Sequence, residues 1–227
     1  NPVTGCTKIS EGCKNCYAEK MSYRLKAMGV TKYKDGFSLK THSEVLSEPY
    51  TWKKPRMVFV NSMSDIFHEN ISIKFIKNIF NVMNSTPHIY QLLTKRSDIL
   101  KRYSGKLDWK DNIWMGVTVE SEKYLNRIDD LRESDAKVKF LSLEPLLSEI
   151  TYLNLDGIDW VIVGGESGHN SRIMQPDWVI DIYQKCKEEN VPFFFKQWGG
   201  FNKKKNGREL EGETYNEMPE KYYDIII

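Results

Sequence analysis

Long apolar runs are missing from this sequence: no stretch approaches the roughly 18 residues that a membrane-spanning helix needs, and no charged-then-apolar start resembles a signal peptide. A cytoplasmic location with no membrane partner is therefore expected. Cysteine is scarce as well, and four in 227 residues are too few to staple a secreted chain of this length. Neither sign of charge dominates. Lys and Arg number 33 against 31 Asp and Glu, a net +2, so no global field draws the protein onto a polyanion and any nucleic-acid contact must come from a local patch. Repeats and low-complexity segments are lacking too. What remains, 40% hydrophobic, 12% aromatic and 28% charged residues, is the profile of an ordinary globular protein. The first residue is Asn1 rather than Met, so a short preceding stretch is expected.

Short apolar, β-branched or aromatic runs recur at 57–60, 89–93, 113–119, 138–143, 160–163 and 192–195, each reading as a buried strand. Amphipathic stretches of helical length lie between several of them, at 71–84, 120–133 and 176–189, with a shorter one at 97–103. Pro176 suits a first helical turn, and Trp178, Ile182 and Cys186 share one face. Strand and helix in alternation predict an α/β protein with parallel units, either an open sheet or a barrel, and about six strands suit a partial β/α barrel. Residues 37–41 offer one further strand. The barrel is expected over 1–200, and 201–227, with Lys203, Lys204, Lys205 and Arg208, reads as a C-terminal extension whose charges could track phosphates.

Each apolar run gives way to polar residues at its carboxyl end. Val60 leads into Asn61-Ser62-Met63-Ser64-Asp65, Leu93 into Thr94-Lys95-Arg96, and Val117 into Thr118-Val119-Glu120. Leu141 leads into Ser142-Leu143-Glu144, Val163 into Gly164-Gly165-Glu166, and Phe195 into Lys196-Gln197-Trp198. In parallel α/β folds the carboxyl ends of the strands form the site, so six polar clusters are expected to converge on one pocket.

Three of the four cysteines, Cys6, Cys13 and Cys16, crowd into eleven residues beside Gly5 and Gly12, while Cys186 sits alone on a helical stretch. Thiolates this close repel unless a cation lies among them, which points to ligation rather than disulfides. The spacing leaves three outcomes open: an iron–sulfur cluster with one iron free, a zinc site completed by His42, His68 or His169, or unligated thiols.

Gly5-Cys6, Gly12-Cys13 and Cys16-Tyr17-Ala18 at the start of a β/α chain resemble the radical S-adenosylmethionine (SAM) enzymes, most closely the branch containing spore photoproduct lyase. Ser62-Met63-Ser64-Asp65 is similar to that branch's Ser-x-Thr-Asp segment, and Thr94-Lys95-Arg96-Ser97 to its Thr-Lys-Ser segment. The whole chain also resembles a phage- and prophage-borne family of unknown function that opens with Asn-Pro-x-Thr-Gly-Cys. Six residues separate Cys6 from Cys13 where the usual radical SAM spacing has three, and Asn15 stands where an aromatic often precedes the third cysteine.

The resemblance implies that Cys6, Cys13 and Cys16 hold a 4Fe–4S cluster that binds SAM at its open iron and that an external electron donor reduces it. It further implies cofactor contacts by Tyr17, Ser62, Asp65 and Lys95, with Ser62 on the SAM amino group and Lys95 on its carboxylate. Thr118 or Glu120 would face the ribose. Glu166, as a catalytic candidate, would stand beside substrate with Glu144, Gly164, Gly165, Arg172, Gln197 and Trp198. The expected substrate is a small molecule or nucleotide, such as a modified pyrimidine in phage DNA within the bacterial host. The alternative class is a non-catalytic zinc or iron–sulfur protein that binds nucleic acid.

Overall fold

The computed structural model describes residues 1–220. Six strands, β3 (Met57–Phe59), β4 (Ile89–Thr94), β5 (Ile113–Thr118), β6 (Val138–Leu143), β7 (Trp160–Gly164) and β8 (Phe193–Gln197), pair in sequence order. Every neighbouring pair is parallel, and the sheet curls into a half-barrel. The expected partial β/α barrel is therefore present. Ahead of it, β1 (Val3–Thr4) pairs antiparallel with β2 (Lys40–Thr41). The strand expected at 37–41 is thus shorter and lies outside the six-stranded sheet.

Helices cover the outer face. In α2 (Ile73–Asn84) the Ser72 hydroxyl accepts from the Phe75 N–H, and Ile76, Ile79, Phe80 and Met83 recur at the helical period on the buried side. The other covering helices are α3 (Ser97–Ser104), α4 (Asn126–Arg132) and α5 (Pro176–Glu188), the last with Pro176 in its first turn. Two expectations need correcting. The helix expected at 120–133 is cut to α4, preceded by a 3-10 turn at Glu122–Tyr124, because Glu120 and Ser121 are buried at the strand end. On α5 the buried face is Val179, Ile182 and Cys186, with Trp178 only half-buried. Between β6 and β7 a loop does a helix's work: Leu146, Ile150, Leu153, Leu155 and Ile158 are all buried against the main core.

Alternation along the strands divides the apolar residues between the two sheet faces. Ile113, Met115 and Val117 pack with the helices, whereas Trp114, Val138, Phe140 and Trp160 form a separate cluster, joined by Phe194, on the other face. Trp160 meets Trp114 edge-on at 6.1 Å and Phe194 at 5.9 Å. Gly116 is required here, since a Cβ would stand 2.4 Å from the Phe140 ring. Aromatic side chains thus plug the inner face below, and the next inward positions, Thr118 and Ser142, are registered partners on the polar side of the plug.

The segment expected as an appended extension returns along β8. Residues 203–206 form α6 (Lys203–Asn206), Phe194 bridges Asn216, and the Phe195 N–H donates to the Tyr215 carbonyl. Lys203, Lys204 and Lys205 are exposed, but Arg208 is not placed to track phosphates: its Nη2 donates to the carbonyls of Phe195 (3.2 Å) and Tyr215 (3.3 Å). The remainder of the expected extension, 221–227, lies outside the described residues. Among the described residues no helix is long and apolar enough to cross a membrane.

Candidate functional site

The polar strand ends meet at the carboxyl mouth of the half-barrel, and the cysteine loop lies across them. Gly5 starts this loop at a φ of +80°, with its N–H on the Met63 carbonyl and its Cα against the Ser38 carbonyl, where a side chain has no room. Cys6 lies beside Arg96. The Arg96 Nη1 donates to the Cys6 Sγ (3.4 Å) and to Asp65 (3.3 Å), Nε donates to Glu69 (2.9 Å), and Nη2 donates to the Thr7 carbonyl (3.1 Å) and hydroxyl (2.8 Å). Asp65, expected at the cofactor, is buried and braces this arrangement: it accepts from Thr94 Oγ1 (2.8 Å), the Lys95 N–H (3.2 Å) and the Phe67 N–H (3.0 Å).

Cys13 hangs over the end of β5. Its Sγ contacts the Ser10 hydroxyl at 3.6 Å, and Ser10 in turn donates to Glu120. Glu120 is fully buried, takes a 2.7 Å bond from Arg127 Nη1, and has Lys95 Nζ at 3.7 Å. Gly12 packs on the same carboxylate so closely that a Cβ would fall 2.5 Å from it. Burial pushes the Cys6 thiol up, against the pull of Arg96. At Cys13 burial acts the same way but is outweighed by backbone hydrogen bonding at Ile9, the Lys95 charge and the Ser10 hydroxyl, which bring that thiol down. Cys16 caps α1 (Tyr17–Ala27), and the Tyr17 hydroxyl donates to the Ser62 carbonyl. The Ser62 hydroxyl donates to Asn1 Oδ1 (3.1 Å).

Glu166, at the end of β7, ties the cysteine loop to the opposite rim. Its carboxylate accepts from Arg172 Nε (2.9 Å), Nη2 (2.5 Å) and N–H (2.9 Å), and from Asn15 Nδ2 (3.0 Å). Four donors already engage the group expected to meet substrate, so its first role is to fasten residues 166–172 to the loop between Cys13 and Cys16. Gly164 and Gly165 likewise leave room for protein: a Cβ on Gly164 would stand 2.7 Å from Glu144, and one on Gly165 2.0 Å from the Trp198 carbonyl. Glu144 pairs with Lys196 at 2.9 Å, and Gln197 donates to Ser167 at 2.6 Å. Trp198 packs edge-on against Phe195 and, with Arg172, Met174 and Asn206, lines a cavity of about 310 Å³.

The Glu166 tie has a defined pH range. Burial acts to raise its pKa, but the Arg172 side chain and N–H and the Asn15 amide outweigh burial and hold the carboxyl at about 2. A depressed folded-state value means that the stabilisation is complete above the unfolded value of about 4.5 and is lost as pH falls through about 2. The gap in melting temperature between the wild type and Glu166→Gln is therefore expected to be flat from pH 7 to about 5 and to close below that. A gap that stays constant down to pH 3 would contradict the assignment.

Three contributors have no role in the sequence reading. Arg96 follows Thr94 and Lys95 and reads there as an ordinary charge; Arg127 is hidden in a helical stretch; Asn15 reads only as a missing aromatic. Of the histidines weighed as a fourth zinc ligand, His42 meets Thr4 (2.8 Å) and Glu44 (3.1 Å), and buried His68 meets Thr7 (3.0 Å). His169 lies exposed against Phe201. Among the described residues no three His, Cys, Asp or Glu side chains converge as a ready-made metal group. The three thiols fit a cluster by donor chemistry: sulfur ligands on one loop, partly buried, with Arg96 and Lys95 beside them to offset thiolate charge.

A family model described as "Protein of unknown function (DUF5131)" matches residues 1–219. No curated protein and no solved structure matches the chain.

Proposed function

The chain belongs to that family of unknown function, and from its mouth we propose that it is a cytoplasmic radical SAM enzyme that alters a side group on a modified pyrimidine, free or in DNA. The observation that carries this reading is the cysteine loop itself. It lies over the carboxyl mouth of a parallel half-barrel, held at Cys6 by Arg96, at Ser10 by Glu120 and at Asn15 by Glu166. Cys6, Cys13 and Cys16 would hold a 4Fe–4S cluster. Such a cluster would supply one-electron reductive cleavage of SAM, with the electron coming from an external donor and the products being methionine and a hydrogen-abstracting 5′-deoxyadenosyl radical.

The chain's own residues do the binding and orienting. Lys95, which pairs with Glu120 beside the Cys13 loop, would offer its ammonium to the SAM carboxylate, and Ser62, whose carbonyl accepts from the Tyr17 hydroxyl, would meet the amino group. Thr118 and Glu120 form the floor above the aromatic plug. The cavity beside Trp198 and Arg172 would give a planar base an aromatic wall, with Glu144 and Gln197 on the adjoining strand ends. A base in duplex DNA would have to be unstacked to reach it.

The reading is tested by incubating the reconstituted protein with SAM, dithionite and phage DNA or free nucleotides, digesting the DNA and measuring nucleosides by mass spectrometry. A changed nucleoside together with 5′-deoxyadenosine is expected. Cleavage of SAM with no altered nucleoside removes the nucleic-acid substrate and keeps the radical chemistry; no cleavage removes both. Lys95→Ala is expected to keep the cluster while weakening SAM binding about 10- to 150-fold, the range for losing a hydrogen bond to a charged group. Calorimetric titration of SAM into the loaded protein reads this directly, and unchanged affinity would dismiss Lys95 from the site.

A further inference from the structure

Arg96 differs from every other cation at the mouth in how completely it is committed. It is 4% exposed, and its guanidinium reaches Glu69, Asp65, the Thr7 carbonyl and hydroxyl, and the Cys6 sulfur. Asp65 is itself fixed from behind by Thr94, the Lys95 N–H and the Phe67 N–H, so the guanidinium cannot swing away from the sulfur without breaking that set. Fastening the loop needs only the two bonds to Thr7 and the ion pairs. The bond to sulfur is additional, and it comes from a buried, permanently charged donor.

Resting on the radical SAM reading, we infer that Arg96 is a positioning residue that sets the reduction potential of the cluster through its N–H···S bond to Cys6. Reduction adds one electron to the cluster, supplied by the external donor, and so adds one negative charge to the iron–sulfur–thiolate unit. A cation bonded to one of its ligand sulfurs stabilises the reduced form more than the oxidised form and raises the potential. Lysine is a poor replacement: a single ammonium cannot span Glu69, Asp65, Thr7 and Cys6 at once, whereas the planar fork does. Among the described residues Arg96 is the cation hydrogen-bonded to a cysteine sulfur, whereas Lys95 is directed to Glu120 and acts on Cys13 through its charge alone.

The test uses the full chain, reconstituted anaerobically with iron and sulfide, as wild type, Arg96→Gln and Arg96→Lys. Circular dichroism and the iron and sulfide content establish folding and loading. Midpoint potentials come from dithionite titration with low-potential mediators, read by the electron paramagnetic resonance signal of the reduced cluster. The expected order is wild type highest, Arg96→Lys lower and Arg96→Gln lowest, with the cluster content of at least the lysine variant near wild type. Loaded variants at the wild-type potential overturn this inference and leave the radical SAM reading standing. Loss of the cluster from both variants while they remain folded also overturns it, since Arg96 then only fastens the loop. A wild-type chain that takes up no cluster overturns both.

Discussion

Replacing any one of Cys6, Cys13 or Cys16 with alanine is expected to abolish cluster uptake on anaerobic reconstitution, from one 4Fe–4S unit per chain to none, while Cys186→Ala loads fully. Three thiolates are the fewest that hold the cluster and leave one iron open for SAM, so no single loss is tolerated. The chain gives each cysteine a distinct setting: Cys6 against Arg96, Cys13 against Ser10, and Cys16 at the start of α1. Cys186 is 1% exposed inside α5, and burial pushes its thiol up to about 12, which keeps it protonated and out of ligation. All three cysteines are only partly buried, Cys16 touching a small cluster of Ala18, Tyr33 and Met63, so the variants are expected to fold, and an unchanged melting temperature would separate lost ligation from lost structure. Stoichiometric zinc without acid-labile sulfide in the wild type would overturn the iron–sulfur reading, and full loading of any single variant would remove that cysteine from the ligand set.

The strands are legible in the sequence because central strands of a parallel sheet are buried on both faces and read as short continuous apolar runs. Ile113 to Thr118 is the clearest: every residue in it is buried. The turn from apolar to polar at each strand end is equally visible, and that turn builds the mouth. Pairings across the mouth are not legible, since they depend on which loops come together in space. Glu120 follows a strand and Arg127 opens no motif, yet seven residues of chain bring them into a buried pair. Glu166 reads as facing substrate because it ends a strand beside two glycines. The Arg172 and Asn15 that claim it lie 6 and 151 residues away in the chain, and no local pattern predicts such a tie. The glycines carry the same lesson. Gly164 and Gly165 signal close approach correctly, but the approaching groups are Glu144 and the backbone of Trp198. The β6–β7 connection departs from the β/α alternation, because buried leucines and isoleucines in an irregular loop show neither helical nor strand period.

Glu120→Ala is expected to cost about 3–5 kcal/mol of folding stability, the scale for removing one partner of a buried ion pair and leaving the other uncompensated. Glu120 is 0% exposed and Arg127 5%, and the guanidinium donates to Glu120 at 2.7 Å and to the Thr118 carbonyl at 2.7 Å. The substitution leaves that cation in place with the Thr118 carbonyl and the Tyr124 ring but without its counter-ion. It also removes the acceptor for Ser10 and the surface on which Gly12 packs, so the middle of the cysteine loop loses its anchor. A double variant, Glu120→Ala with Arg127→Met, separates the two losses. Taking out the stranded charge is expected to recover much of the stability, because an apolar pair of similar volume is often no worse than the ion pair it replaces. Urea unfolding of the four proteins in the cycle gives the coupling energy. The loop will not recover with the stability: cluster content of the double variant is expected to remain as low as that of Glu120→Ala, since neither restores the acceptor for Ser10. Equal stability of the single and double variants would show that Arg127 finds another partner. Full cluster content in both would show that Ser10 and Gly12 need no carboxylate beneath them, leaving Arg96 and Asn15 as the loop's anchors.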